Sequence, residues 1–137
     1  MNISGPIRKL IQDNAAAYAL LSDRVYPIVS LQDSAFPNVA VRRKGGRESA
    51  NHDKGSDVDL VVAHIIINAA TASSAYTVDN AIRTAIDRYR GTVTFKEEST
   101  VIDGIKYLES DDDYNQESNA FQITSVYQIR VKRTPTP

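Results

Sequence analysis

Two aspartates and two glycines are the residues of this chain whose types and spacing could do chemistry. Gly45-Gly46 is followed, after ten residues, by Asp57-Val58-Asp59-Leu60. Carboxylates at positions i and i+2 of a strand project from one face and can hold Mg²⁺ ions between them. Backbone amides at a glycine pair can cradle a triphosphate alongside. The other candidates offer less. His52 falls in a polar stretch and His64 in an apolar one, and neither has a second ligand at zinc spacing. Asp111, Asp112 and Asp113 run consecutively, without the alternating ligands and glycine of a calcium loop. Cysteine is absent, which removes disulfides and thiolate metal sites. No Ser/His/Asp or Cys/His set stands out.

The glycine and aspartate spacing resembles the nucleotidyltransferase signature, in which a glycine pair precedes an Asp-x-Asp strand. Three features weigh against it. Arg42-Arg43-Lys44 stand where that family runs an apolar strand into its glycines. The carboxylates available as a third ligand, Glu97, Glu98 and Asp103, fall in what reads as loop. Little chain is left after Gly91 to bind a substrate. Gly45-Gly46 is therefore read as a bend, and Asp57 and Asp59 as the solvated start of a strand. No catalysis, metal or cofactor is expected. A minimal Mg²⁺-dependent nucleotidyltransferase using Asp57 and Asp59 is the alternative.

Composition narrows the class further. The 137 residues suit one domain spanning 1–137. A chain that is 42% hydrophobic and 24% charged is too apolar to be disordered. Sixteen basic and seventeen acidic side chains leave a net charge of −1, without the positive excess of a general nucleic-acid grip. The opening "MNISGPIRKL" lacks the apolar run of a signal peptide, and no stretch approaches about 18 consecutive apolar residues. A soluble protein made in a cytoplasm, with no membrane partner, is the expectation.

Periodicity supplies the elements. Ile7, Leu10, Ile11, Ala15, Tyr18 and Leu21 recur at helical spacing, which predicts one helix from about Gly5 to Leu21, with Ser4 as N-cap and Pro6 in the first turn. "RVYP" reads as a short extended segment, and Phe36-Pro37 introduces a strand from Asn38 to about Lys44. Lys44 to Ser56 reads as a mobile polar loop or hairpin tip. Asp57–Asn68 is a strand whose even positions (Val58, Leu60, Val62, Ile66) and odd positions (Val61, Ala63, Ile65, Ile67) are both apolar. A helix would cover one face and something else, such as a neighbouring subunit, the other. Ala75, Val78, Ile82, Ala85, Ile86 and Tyr89 stripe a second helix, N-capped from Thr71, Ser73 or Ser74 and stopped by Gly91. Thr92–Phe95 and Ile105–Ser110 read as strands, with a loop at Asp103-Gly104 and a turn at Asp111–Asp113. Phe121, Ile123, Tyr127, Ile129 and Val131 share one face of a last, half-exposed antiparallel strand. The "TPTP" tail, 134–137, reads as disordered. The sum is α+β: an antiparallel or mixed sheet of four to six strands with two helices packed on it.

In that order these parts resemble the tail-completion or tail-terminator family of long-tailed bacteriophages and related gene-transfer particles. The parts are "ALLSDRVYP", "FPNVAV", the polar loop, the long apolar strand, "VDNAIRTAIDRYRGTV", "YLESDDDY" and "AFQITSVYQIRV", from about Ile7 to Val131. The loop "GGRESANHDKGS" is longer and more charged than the family's. The resemblance implies a structural virion protein that closes into a ring, six-membered in that family, on the head-proximal end of the tail tube. It would be assembled in the host cytoplasm, with itself, the tail tube protein and the head–tail connector or stopper as partners. DNA would pass through the channel without specific binding. Another head-closure ring component is a further possibility. Expected subunit or partner contacts are Arg42, Arg43, Lys44, Arg47, His52, Asp53, Val61, Ile65, Ile67 and Tyr127. Of these Val61, Ile65, Ile67 and Tyr127, together with Ile123 and Ile129, are expected to supply both core and interface surface.

Overall fold

One strand sets the plan of the computed structural model, which describes residues 3–27, 35–48, 58–117 and 119–132. In β3 (Val58–Ala69), Val61, Ala63, Ile65, Ile67 and Ala69 are buried, while Leu60, Val62, His64, Ile66 and Asn68 between them are only partly covered. Successive side chains of a strand point to opposite faces, so the odd face lies in the core and the even face does not.

Around β3 lie β1 (Val25–Pro27), β2 (Asn38–Glu48), β4 (Gly91–Phe95), β5 (Glu98–Asn115) and β6 (Ala120–Lys132). They form one six-stranded sheet in the order β1-β2-β3-β6-β5-β4. Only the short β1–β2 pair is parallel, so the sheet is mixed. Helices α1 (Ser4–Asp13), α2 (Ala15–Leu21) and α3 (Ala72–Ile86) supply Ile7, Ile11, Leu21, Val78, Ile82 and Ile86 to one core. There they meet Val39, Val41, Ile65, Ile67, Ile123 and Ile129 from the sheet. Each such aliphatic side chain taken fully out of water contributes about 1.5–3 kcal/mol. The chain is α+β, with the helices gathered against a single face.

The local chemistry departs from the expected elements at four places. The N-terminal helix is two helices, because Asn14 leaves the helical region at ψ 118° and serves both. Its N–H closes α1 on the Ile11 carbonyl at 3.2 Å, and its side-chain oxygen accepts from the Ala17 N–H at 3.1 Å as the N-cap of α2. The break shifts the buried stripe to Ala17 and Leu21 and leaves Tyr18 exposed. Ser4 does not cap α1; it is the first helical residue, and its hydroxyl donates to the Val41 carbonyl at 3.1 Å, tying α1 to β2.

α3 begins as expected, with the Thr71 hydroxyl accepting from the Ser74 N–H at 3.1 Å. It ends at Ile86, five residues short of Gly91, which is the first residue of β4. Tertiary bonds win over the continuing apolar spacing. The Asp87 carboxylate accepts from the Tyr107 N–H at 3.1 Å, and the Arg88 N–H donates to the Ile105 carbonyl at 2.8 Å. Together they hold the end of α3 against β5 beyond the stretch that β4 pairs, and Arg88 takes the left-handed turn at φ 65°.

Asp103-Gly104 and Asp111–Asp113 are not loop and turn. Both belong to β5, the first at a bulge between Ile102 and Gly104, the second paired with Gln122–Thr124 of β6. The ladder to β6 outweighs the low strand propensity of aspartate, and the Asp111, Asp112 and Asp113 side chains stay exposed. Likewise β2 runs on past Lys44 to Glu48, with a bulge between Arg43 and Gly45. The rest of the expected polar loop, 49–56, the expected strand start at Asp57 and the expected tail lie outside the described residues.

Candidate assembly surface

The catalytic reading can be located first. Asp57 lies outside the described residues; Asp59 sits in β3, opposite Glu48 of β2 and Val131 of β6. Of the possible third carboxylates, Glu97 is in the β4–β5 turn and Glu98 opens β5. Asp103 is taken by two cations, Arg130 at 3.4 Å and Arg90 at 3.6 Å. Among the described residues, no three His, Cys, Asp or Glu side chains gather as a metal site would need. A groove of about 210 Å³ between α1, β1 and β4 is walled by Arg8, Tyr26, Phe95 and Lys96 and by Ser4, whose hydroxyl is bonded to Val41. The groove's serine hydroxyl is thereby committed to a backbone carbonyl and not to a base.

The expected contact residues divide by face. Val61, Ile65, Ile67 and Tyr127 are at most 1% exposed and belong to the protomer's own core under the helices. As surface they are a correction. The two faces of β3 are nearly equal in apolar content, and the helices cover the odd one. Ile123 and Ile129 share that core. Arg42 is exposed and pairs with His64 across β2–β3, which places it on the uncovered face. Arg43 pairs with Ala63 on the helix-side face, and Lys44 is exposed at the bulge. Arg47 is opposite Leu60 in the ladder, while His52 and Asp53 lie outside the described residues.

Strand register then draws the uncovered face row by row. Arg42, His64, Val126 and Glu109 form one row across β2, β3, β6 and β5. Ala40, Ile66, Thr124 and Asp111 form the next, and Asn38, Asn68, Gln122 and Asp113 the third. On the other side of the first row lie Val62, Gln128 and Lys106, then Leu60 and Arg130. Leu60, Val62, Ile66 and Val126 therefore make an apolar stripe down the centre, half-covered and outside the core cluster. An acidic row on β5 flanks it on one side and cations on β2 flank it on the other. A chain of side-chain amides, Gln122 to Asn68 and Asn68 to Asn38, both at 3.0 Å, spans the polar end.

His64 sits between the two charged flanks. Partial burial first, then the Lys44 and Arg42 cations, hold its imidazole below the usual histidine range, while Glu109 opposes them. Burial and the two cations thus favour the neutral imidazole.

The acidic row was missed at the sequence level. The available signal was the alternation Glu109, Asp111, Asp113, which places three carboxylates on one face once the segment is taken as strand.

Tyr127, buried edge-on against Tyr107 with ring centroids 5.5 Å apart, has a hydroxyl with no hydrogen-bond partner among the described residues. Burial, with the Asp79 and Asp87 charges behind it, pushes its ionisation well above the usual tyrosine range. A buried, unpaired hydroxyl costs free energy that phenylalanine does not. Tyr127→Phe is expected to raise stability by about 1 kcal/mol. A urea melt checks this, and a loss of stability would mean that the hydroxyl is bonded in solution.

No protein-family model matches this chain, and no curated protein matches it significantly. Among solved structures it is similar to a chain of the "Virion of native gene transfer agent (GTA) particle", with a TM-score of 0.71 at 17% identity. The match covers 95% of this chain and 94% of that one. At this identity the likeness establishes a shared fold, along essentially the whole of both chains.

Proposed function

We propose that this chain is a structural component of a phage-like virion. It would form a ring at the head-proximal end of the tail tube, ending tube growth and joining tail to head connector. The observation that carries this reading is the end-to-end likeness of fold to a chain of a gene transfer agent virion. The order of sequence parts described above supplies the finer assignment to the tail terminus. An uncovered sheet face with an apolar stripe supports assembly, because contiguous apolar surface left outside the core marks interaction sites. A net charge of −1 suits a conduit through which DNA slides without sticking.

Deleting the chain from a producing cell tests this reading. Electron micrographs of the lysate are expected to show separate heads and unattached tubes, many longer than normal. Normal-length tails on filled heads would refute it. Cross-links in intact particles are expected to reach the tail tube protein. Links confined to the portal complex would favour a head-closure ring instead.

A further inference from the structure

We infer that the uncovered sheet face is the contact between copies of this chain, with the acidic row of β5 on one copy seated against the basic stretch of β2 on the next. This rests on the ring reading and specifies its surface.

The face has the three parts such a contact requires. Its centre is the stripe of Leu60, Val62, Ile66 and Val126, which none of the described helices covers. On the β5 flank, Glu109, Asp111 and Asp113 occupy three successive positions of this face, and none forms an ion pair with another described residue. On the β2 side, Arg42 and Lys44 are exposed and likewise form no ion pair with a described residue. Two strands, β3 and β6, separate the flanks, so roughly 14 Å lies between them at the usual strand spacing. The opposite charges are too far apart to satisfy each other within one copy. In a ring each flank finds its complement on a different neighbour, the acidic row on one side of a copy and the basic stretch on the other. DNA is the wrong occupant, since the longer charged row is negative and repels phosphate.

The pairing is between two different patches, which is the heterologous contact that closes a ring when its rotation permits. The apolar stripe would supply affinity, and the charged flanks register and direction.

The test uses two full-length variants. In one, Asp111→Lys and Asp113→Lys turn the acidic flank basic; in the other, Arg42→Glu and Lys44→Glu turn the basic flank acidic. All four side chains are exposed, and circular dichroism confirms that each variant folds. Native mass spectrometry, with and without tail tubes, reads assembly. Each variant alone is expected to assemble about 100-fold more weakly than the wild type, because like charges then face each other. Mixed in equal amounts, the two are expected to form rings in which they alternate.

Variants that assemble as the wild type does, or a mixture that fails to recover assembly, would overturn this surface while leaving the ring intact. Mixed complexes of only two chains would uphold the surface and contradict the ring. A wild-type chain that stays monomeric even on tail tubes would remove both.

Discussion

Ile65→Ala is expected to cost about 2–5 kcal/mol of folding stability, the range for truncating a large aliphatic side chain in a packed core. Ile65 is fully buried in the helix-covered core, in the middle of a strand paired along both edges. It pairs with Val41 on β2 and Ser125 on β6, so no neighbour is free to collapse into the space left behind. A domain of this size is stable by only about 5–15 kcal/mol, so a large part of the total would go. The midpoint of urea unfolding, at unchanged slope, is the readout. A shift corresponding to less than about 1 kcal/mol would mean that this face is not the tightly packed one.

Val62→Asp, three residues earlier on the same strand, is expected to do the opposite: leave the protomer folded and stop it assembling. Val62 points to the uncovered face, where its cross-strand neighbours are Gly45 on one side and Gln128 on the other. A carboxylate there stays in water in the free protomer, so the cost to folding should stay near the ±0.5 kcal/mol of ordinary surface changes, about 1 kcal/mol at most. In a copy-to-copy contact the same carboxylate is buried in the apolar centre with no partner, and that penalty removes the affinity. Sedimentation velocity, paired with a melt of the same sample, separates the two effects. Normal assembly by Val62→Asp would show that this face stays in water.

These two substitutions also mark where the sequence was legible. That β3 is apolar on both faces could be read from alternation alone. Which face the helices take could not be read: Val61, Ile65 and Ile67, expected as both core and interface surface, lie in the core. The clue lay in two polar side chains. His64 and Asn68 share a face with Leu60, Val62 and Ile66, and a face carrying an imidazole and an amide is the worse half for a dry core. α3 was legible at its start, because a threonine cap acts within one turn. Its end was not, because Asp87 and Arg88 bond to β5, some twenty residues away in sequence. The acidic stretch misled for a related reason. Aspartates favour turns in isolation, and only the pairing with β6 makes them a strand. Asn14, by contrast, could have been recognised, since an asparagine before a run of alanines is a ready N-cap.

The most direct test is the position of the chain in an assembled particle. Particles would be purified from cells in which this chain carries an epitope tag, decorated with the matching antibody fragment and imaged by cryo-electron microscopy. One layer of label encircling the junction between head and tail is the expected result. Label along the whole tube, label at the far tip, or unlabelled intact particles would contradict a ring at the tail terminus.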